Sequence, residues 1–318
     1  MPERSAFLSL PPTTQTITRS EIWLDDGSIV LEVDKVQFRV HRSVLSNHSS
    51  VFKGMFTLPS QPPDETMVEG CCVVRLDDQS RDWEALLRYI YYGPQYFRSR
   101  YDYPIEVLIA SLRLGRKYEF EEFFSRAMGY LKYLFPYTYA FGEPGIDVGW
   151  VKNNIFDLVN IAEELGEMEL LPVFYYWCLH HHHTLSIFGG WNRSDNTICH
   201  LSAESQYTLA IGKEKLVTAI FDKTWAWLAS LRDVSPDECL SRNQCSEVRA
   251  RHLEEALLIF RQSSLLLIPL LHKDKLSQGF CTYCRQYLGG TTLKREEVWK
   301  ELPSYFGLPE WVYDYRRG

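Results

Sequence analysis

Between residues 28 and 56 the hydrophobic pattern changes period almost at once. In SIVLEVDKVQFRV, Ile29, Leu31 and Val33 recur at every second position, and Val36, Phe38 and Val40 do so again. Period two marks strands, and Asp34-Lys35 between the two runs can turn, so residues 28–40 read as a hairpin. Beyond His41, the residues Val44, Leu45, Val51, Phe52, Met55 and Phe56 recur at helical spacing. Ser49 stands where its hydroxyl can cap a second short helix. A chain that must close a hairpin and immediately wind two short helices has few folds open to it.

The next signals extend that unit. Gln61-Pro62-Pro63 marks a loop, and Cys72-Val73-Val74-Arg75-Leu76 reads as a third strand. Trp83, Leu86, Leu87, Ile90 and Tyr91 form a helical stripe. Asp102 and Pro104 then signal a new helix start, with Ile105, Leu108, Ile109 and Leu112 as its stripe. Phe120, Phe123, Phe124, Ala127, Leu131 and Leu134 form another. PYTYAFGEPGIDVG, rich in Gly and Pro, reads as a boundary. Past it the strand signal nearly vanishes, and residues 153–165, 169–184, 213–231, 247–266 and 294–301 suit helices. The expectation for these 318 residues is α+β: a disordered tail over 1–19, a mixed domain over 20–135, a linker over 136–149, and an all-helical domain over 150–318.

Composition narrows function. The formal net charge is −7 and no basic cluster tracks phosphate, which argues against nucleic acid as a direct ligand. The longest apolar run, Leu265 to Leu271, is too short to span a membrane and contains Pro269. The first residues lack the apolar core of a signal peptide. Eight cysteines without that signal then point to a reducing compartment, cytoplasm or nucleus. No phosphate loop, Rossmann glycine pattern, GxSxG elbow or HExxH helix is present, so no enzymatic activity is expected.

Phe38, His41, Arg42, Val44 and Leu45, then Ser49, Phe52, Met55 and Phe56, stand in an order that resembles the signature of the BTB (POZ) domain. Leu114-Gly115-x-Lys117-Tyr118 resembles the point where that family's last two helices meet. The resemblance covers roughly residues 20–135. It makes His41-Arg42 a corner between strand and helix rather than a reactive pair. Many BTB domains carry an Asp at the start of the hairpin; that position falls on Ser28 here, with Asp25-Asp26 just ahead.

The resemblance implies protein partners, commonly through a twofold homodimer, with Trp23 and Val44 at the interface. Some BTB domains recruit cullin-type ubiquitin ligase scaffolds. In those adaptors a hydrophobic-x-acid triplet often precedes the helix near 105–114, and the matching Val107-Leu108-Ile109 carries no acid. A cullin adaptor is thus the second expectation, beside a monomeric regulator with a masked BTB surface. The wider pattern resembles a BTB subfamily expanded in fungi: Glu69-Gly70-Cys71, then Leu302-Pro303, Phe306-Gly307-Leu308-Pro309 and Trp311.

Cys281-x-x-Cys284 is the sharpest chemical signal in the second half. A tetrahedral zinc site takes four thiolates or imidazoles, and a two-residue gap lets one knuckle supply two sulfurs. Cys239 and Cys245 are the expected second pair, with His252 as a substitute ligand. The competing expectation is four reduced, buried cysteines acting as small hydrophobes. A metal reading of His180, His183 and His200 ranks below an ordinary helix end. The aromatic stretch from Trp299 to Tyr315 is expected to fold back over the helical domain rather than dock a partner.

Overall fold

The first strand, β1 (Thr18–Trp23), was not signalled by alternation and starts inside the stretch read as a tail. It runs parallel to β3 (Val36–Val40), which pairs antiparallel with β2 (Ile29–Val33) from Ile29 opposite Val40 to Val33 opposite Val36. Asp34 and Lys35 make the expected turn, both with positive φ, the geometry that matches the twist of a tight hairpin. Ser49 caps α2 (Ser50–Thr57) by accepting the Phe52 N–H at 3.0 Å, after the short α1 (Arg42–His48). This pair of helices returns the chain to β4 (Met67–Val68) and β5 (Cys71–Leu76), and β5 lies parallel to β2. The sheet order is β1-β3-β2-β5-β4. Parallel strands need such a crossover, which is why two helices interrupt the sheet.

Three helices complete this region: α3 (Ser80–Tyr92), α4 (Ile105–Lys117) and α5 (Glu121–Leu134). Their stripes meet the sheet in one core of Ile29, Leu31, Phe38, Leu45, Phe52, Trp83, Leu87 and Phe120 among others. Gly115 of α4 is required by close approach, since a Cβ there would lie 3.0 Å from the Cβ of Phe124 on α5.

The computed structural model describes residues 16–58, 67–93, 103–136, 148–193, 196–225, 239–262 and 278–311. It divides into two units, Met1–Met128 and Gly129–Gly318. Most of the expected linker, like residues 1–15 of the expected tail, lies outside the described residues.

Among its described residues the second unit is mostly helical, with the two-residue strands β6 (Trp191–Asn192) and β7 (Ile198–Cys199). Its helices are α6 (Val148–Leu165), α7 (Leu171–His181), α8 (Thr184–Gly189), α9 (Ala203–Ile220), α10 (Arg242–Gln262), α11 (Thr282–Lys300) and α12 (Leu302–Tyr305). A π-helical turn over Phe221–Trp225 extends α9. α7 is buried nearly all round, which is the pattern of a helix at the centre of its unit.

Several bounds differ from the periodicity. α9 starts ten residues early because Ser202 caps it, its Oγ accepting the Ser205 N–H at 3.0 Å. Gly212 obscured that start, yet the helix needs it: a Cβ there would overlap the Phe306 ring at Cδ1. α11 starts at Thr282 instead of 294, with Cys281 as its cap, while Gly289-Gly290 hid its first half. The expected helix over 169–184 ends at His181, and a new helix, α8, begins at Thr184 after His183 in extended backbone.

The C-terminal aromatics pack within this unit. Trp299 meets Tyr176 edge-on at 5.3 Å, Phe306 meets Tyr175 at 5.2 Å, and Trp311 donates from Nε1 to the Trp299 carbonyl at 3.4 Å. Tyr313 and Tyr315 lie outside the described residues. No helix among the described residues is long and apolar enough to cross a membrane.

Candidate interaction surface and metal centre

The residues singled out in the first unit separate into a buried set and a surface set. Phe38, Leu45 and Phe52 are fully buried, and Phe52 stacks on Tyr118 at 5.2 Å and meets Trp83 edge-on at 5.7 Å. Ser49 is buried too. Besides capping α2 it donates from Oγ to the Tyr118 carbonyl at 2.5 Å, so one hydroxyl ties the first helices to the end of α4. Met55 and Phe56 are half-buried against the same core. These residues build the domain.

His41 and Arg42 form the corner between β3 and α1. His41 Nε2 lies 3.1 Å from Asp26, and Nδ1 lies 3.2 Å from the Tyr91 hydroxyl, which also accepts the His41 backbone N–H at 3.0 Å. Both ring nitrogens thus have partners within the corner, which ties the end of β3 to α3. The hydrogen bond from His41 holds the Asp26 carboxyl below its ordinary range, and burial raises the Tyr91 phenol. Ser28, standing at the family's Asp position, accepts the Arg42 backbone N–H at 3.0 Å. The Arg42 side chain is exposed, with its guanidinium 4.6 Å from the Phe56 ring centroid. Asp26 therefore serves His41 rather than Arg42.

Trp23 and Val44 are half-buried, and neighbouring apolar side chains stay accessible: Ile17 before β1 is 55% exposed and Val51 on α2 is 39% exposed. The Trp23 ring lies 4.3 Å under the Arg19 guanidinium and donates from Nε1 to Glu69 at 3.3 Å. Glu69 also pairs with Arg19 at 2.7 Å and Arg39 at 3.1 Å. The Glu69-Gly70-Cys71 triplet gains a physical reading from this. Glu69 gathers the charges beside β1, Gly70 turns with φ +78, and Cys71 donates from Sγ to the Gly27 carbonyl at 3.2 Å. Val107, Leu108 and Ile109 are all buried in α4.

Periodicity gave no hint of Asp78. It lies between β5 and α3 and accepts from Trp83 Nε1 at 3.0 Å, Tyr118 Oη at 2.6 Å and Lys117 Nζ at 2.5 Å. The Lys117-Tyr118 end of the family motif thus has its partner here. Only pairing across about 40 residues could have found it.

In the second unit Cys239, Cys245, Cys281 and Cys284 come together, their sulfurs all within 4.8 Å of one another. Cys239 lies 3.6 Å from Cys284 and 4.0 Å from Cys281, sulfur to sulfur. No disulfide joins them. Zn–S bonds of about 2.3 Å in a tetrahedron set sulfur–sulfur edges at roughly 3.8 Å, so the donor set and its spacing suit such an ion. Backbone N–H groups point at the sulfurs: Cys281 N–H to Cys245 at 3.3 Å, and Cys284 N–H to Cys281 at 3.4 Å. Burial acts to raise the Cys281 thiol, but hydrogen bonds from the Cys284 and Leu240 N–H groups and from the neighbouring thiols bring its pKa to about 6. Burial pushes Cys284 up.

His252 is not one of the four. It stacks on Phe280 at 5.9 Å, and its Nδ1 lies 3.4 Å from Glu255. The histidine run is no metal cluster among the described residues. His182 is buried between Phe156 and Trp191, bonds through Nε2 to the Lys152 carbonyl at 2.8 Å, and burial lowers its pKa to about 4.

Residues 25–133 match the family model of the BTB/POZ domain. No curated protein matches the chain.

Proposed function

We propose, from the premise that residues 25–133 are a BTB/POZ domain, that this chain is a non-enzymatic scaffold or adaptor that acts as a homodimer. BTB domains are protein–protein interaction modules, and the family match over those residues is the observation that carries the reading. The accessible apolar side chains around Trp23, Val44, Ile17 and Val51 support a twofold interface near β1, α1 and α2. Two copies then present the helical unit twice, which raises avidity for a partner without new contacts. The four-cysteine cluster takes one structural zinc ion in this proposal, and its thiols must stay reduced to bind it. Cytoplasm or nucleus is the setting that follows.

The likeness to BTB proteins expanded in fungi belongs to the same proposal and rests on the sequence motifs Glu69-Gly70-Cys71, Leu302-Pro303, Phe306-Gly307-Leu308-Pro309 and Trp311. The net charge of −7 disfavours nucleic acid as a partner. A cullin adaptor ranks second, because Val107-Leu108-Ile109 is buried and lacks an acid. Enzyme chemistry is not part of the reading, since BTB domains are typically interaction modules.

Co-expression of two differently tagged copies tests the dimer. The tags should co-purify, and Val44→Asp should separate them while leaving circular dichroism unchanged. Wild-type tags that never co-purify would overturn the homodimer.

A further inference from the structure

The two ends of α11 are held by different chemistry. At its C-terminal end Leu302 and Pro303 are buried, Phe306 fills the space beside Gly212, and Glu301 pairs with Lys223 at 2.6 Å and with Tyr305 at 2.8 Å. Aromatic packing on α7 and α9 anchors that end. At its N-terminal end the core is a separate small cluster with Cys245, Val248, Phe280 and Cys284 as its buried members. Two of those four are thiols. The partly buried neighbours are Cys239, Leu253, Cys281 and Tyr283, so four of the cluster's eight described residues are cysteines.

Among the described residues this core joins two segments that lie about 40 residues apart in sequence, and holding them together carries an entropy cost. Val248 and Phe280 are its buried hydrocarbon side chains among the described residues. A metal bound by all four sulfurs offsets that cost, because its binding free energy becomes folding free energy. The surroundings suit the charge. Four thiolates on a divalent ion carry a net −2, and Arg249 is buried one turn beyond Cys245, with Arg285 next to Cys284. Thiolate donors select soft divalent ions over magnesium or calcium.

Resting on the zinc reading and extending it, we infer that Cys239, Cys245, Cys281 and Cys284 form a metal-dependent folding unit. The ion fixes the first turns of α10 against the first turn of α11, while the C-terminal cap at 302–311 stays docked by its own contacts. Zinc content therefore controls whether α10 is ordered, without controlling the rest of the second unit.

The test uses the full-length chain, with metal analysis followed by hydrogen exchange before and after a strong zinc chelator. The expected result is one zinc per chain. Cobalt(II) in its place should give thiolate charge-transfer absorption. Chelation should then raise exchange on the order of tenfold or more at 242–253 and 281–286, leaving α7, α9 and 302–308 unchanged. Added zinc should restore protection in the wild type but not in Cys284→Ser. No bound zinc in a folded chain would end both the zinc reading and this inference. Bound zinc whose removal changes no exchange would refute the folding unit alone, as would loosening of α7 and α9 together with α10.

Discussion

Replacing Asp78 with alanine removes one acceptor from three donors. The carboxylate side chain is 5% exposed, and it takes hydrogen bonds from Trp83, Tyr118 and Lys117. Trp83 is fully buried and Tyr118 nearly so, and each would keep an unsatisfied donor, costing about 1–3 kcal/mol apiece. Lys117 is 46% exposed and can turn to water, so its share is about 0–1 kcal/mol. The loss should total about 2–7 kcal/mol, a large part of the ~5–15 kcal/mol that holds a domain together. Asp78→Asn keeps an uncharged acceptor and should lose roughly half as much.

The pH dependence gives a second handle. Burial acts to raise the Asp78 pKa, but the bonds from Lys117, Tyr118 and Trp83 outweigh it and hold the group below 3.8. A depressed folded pKa means the stabilisation is present above the unfolded value and is lost as pH falls through the folded one. The wild-type lead over Asp78→Asn should therefore be complete near neutrality and shrink below pH 3.8. Hydrogen exchange at β2 and β3 as a function of urea reads this unit without mixing in the other. An Asp78→Ala loss below about 1 kcal/mol would refute the reasoning, since it would mean water reaches both rings.

Ser49→Ala should cost the first unit about 1–2 kcal/mol, because it removes the α2 cap and the bond to the Tyr118 carbonyl together; urea-dependent exchange at α2 measures it. Gly212→Ala should destabilise the second unit by about 1–3 kcal/mol although alanine favours helix, because its Cβ would meet Phe306; faster exchange at 302–308 is the readout. Burial lowers His182 to about 4, so the unfolded chain takes up a proton at a higher pH than the folded one. That part of the stability is complete above about pH 6.5 and is lost as pH falls toward 4, by about 2–3 kcal/mol. His182→Gln should flatten that slope in acid-titrated exchange of α6 and α7.

The hairpin, the capped α2 and the stripes of α3 to α5 were legible because each is a local pattern with one period. β1 was not, since Thr18–Trp23 carries charges from Arg19 and Glu21 and pairs in parallel with β3, a non-local partner. The role of Asp78 was invisible for the same reason. In the second unit, Gly212 and Gly289-Gly290 look like helix breakers, though the first is demanded by Phe306 and the second lies inside α11. The cysteine pairs were readable from type and spacing, but their meeting depends on how α10 and α11 are placed. His252 shows the limit: position on a helix suggested a ligand, and stacking on Phe280 took it elsewhere.

The mass of the purified full-length chain in solution tests the central claim most directly. Light scattering over a range of dilutions should give twice 37.2 kDa, holding as the protein is diluted. A species of 37.2 kDa at every concentration would contradict the homodimeric scaffold and leave the helical unit as the seat of any partner binding.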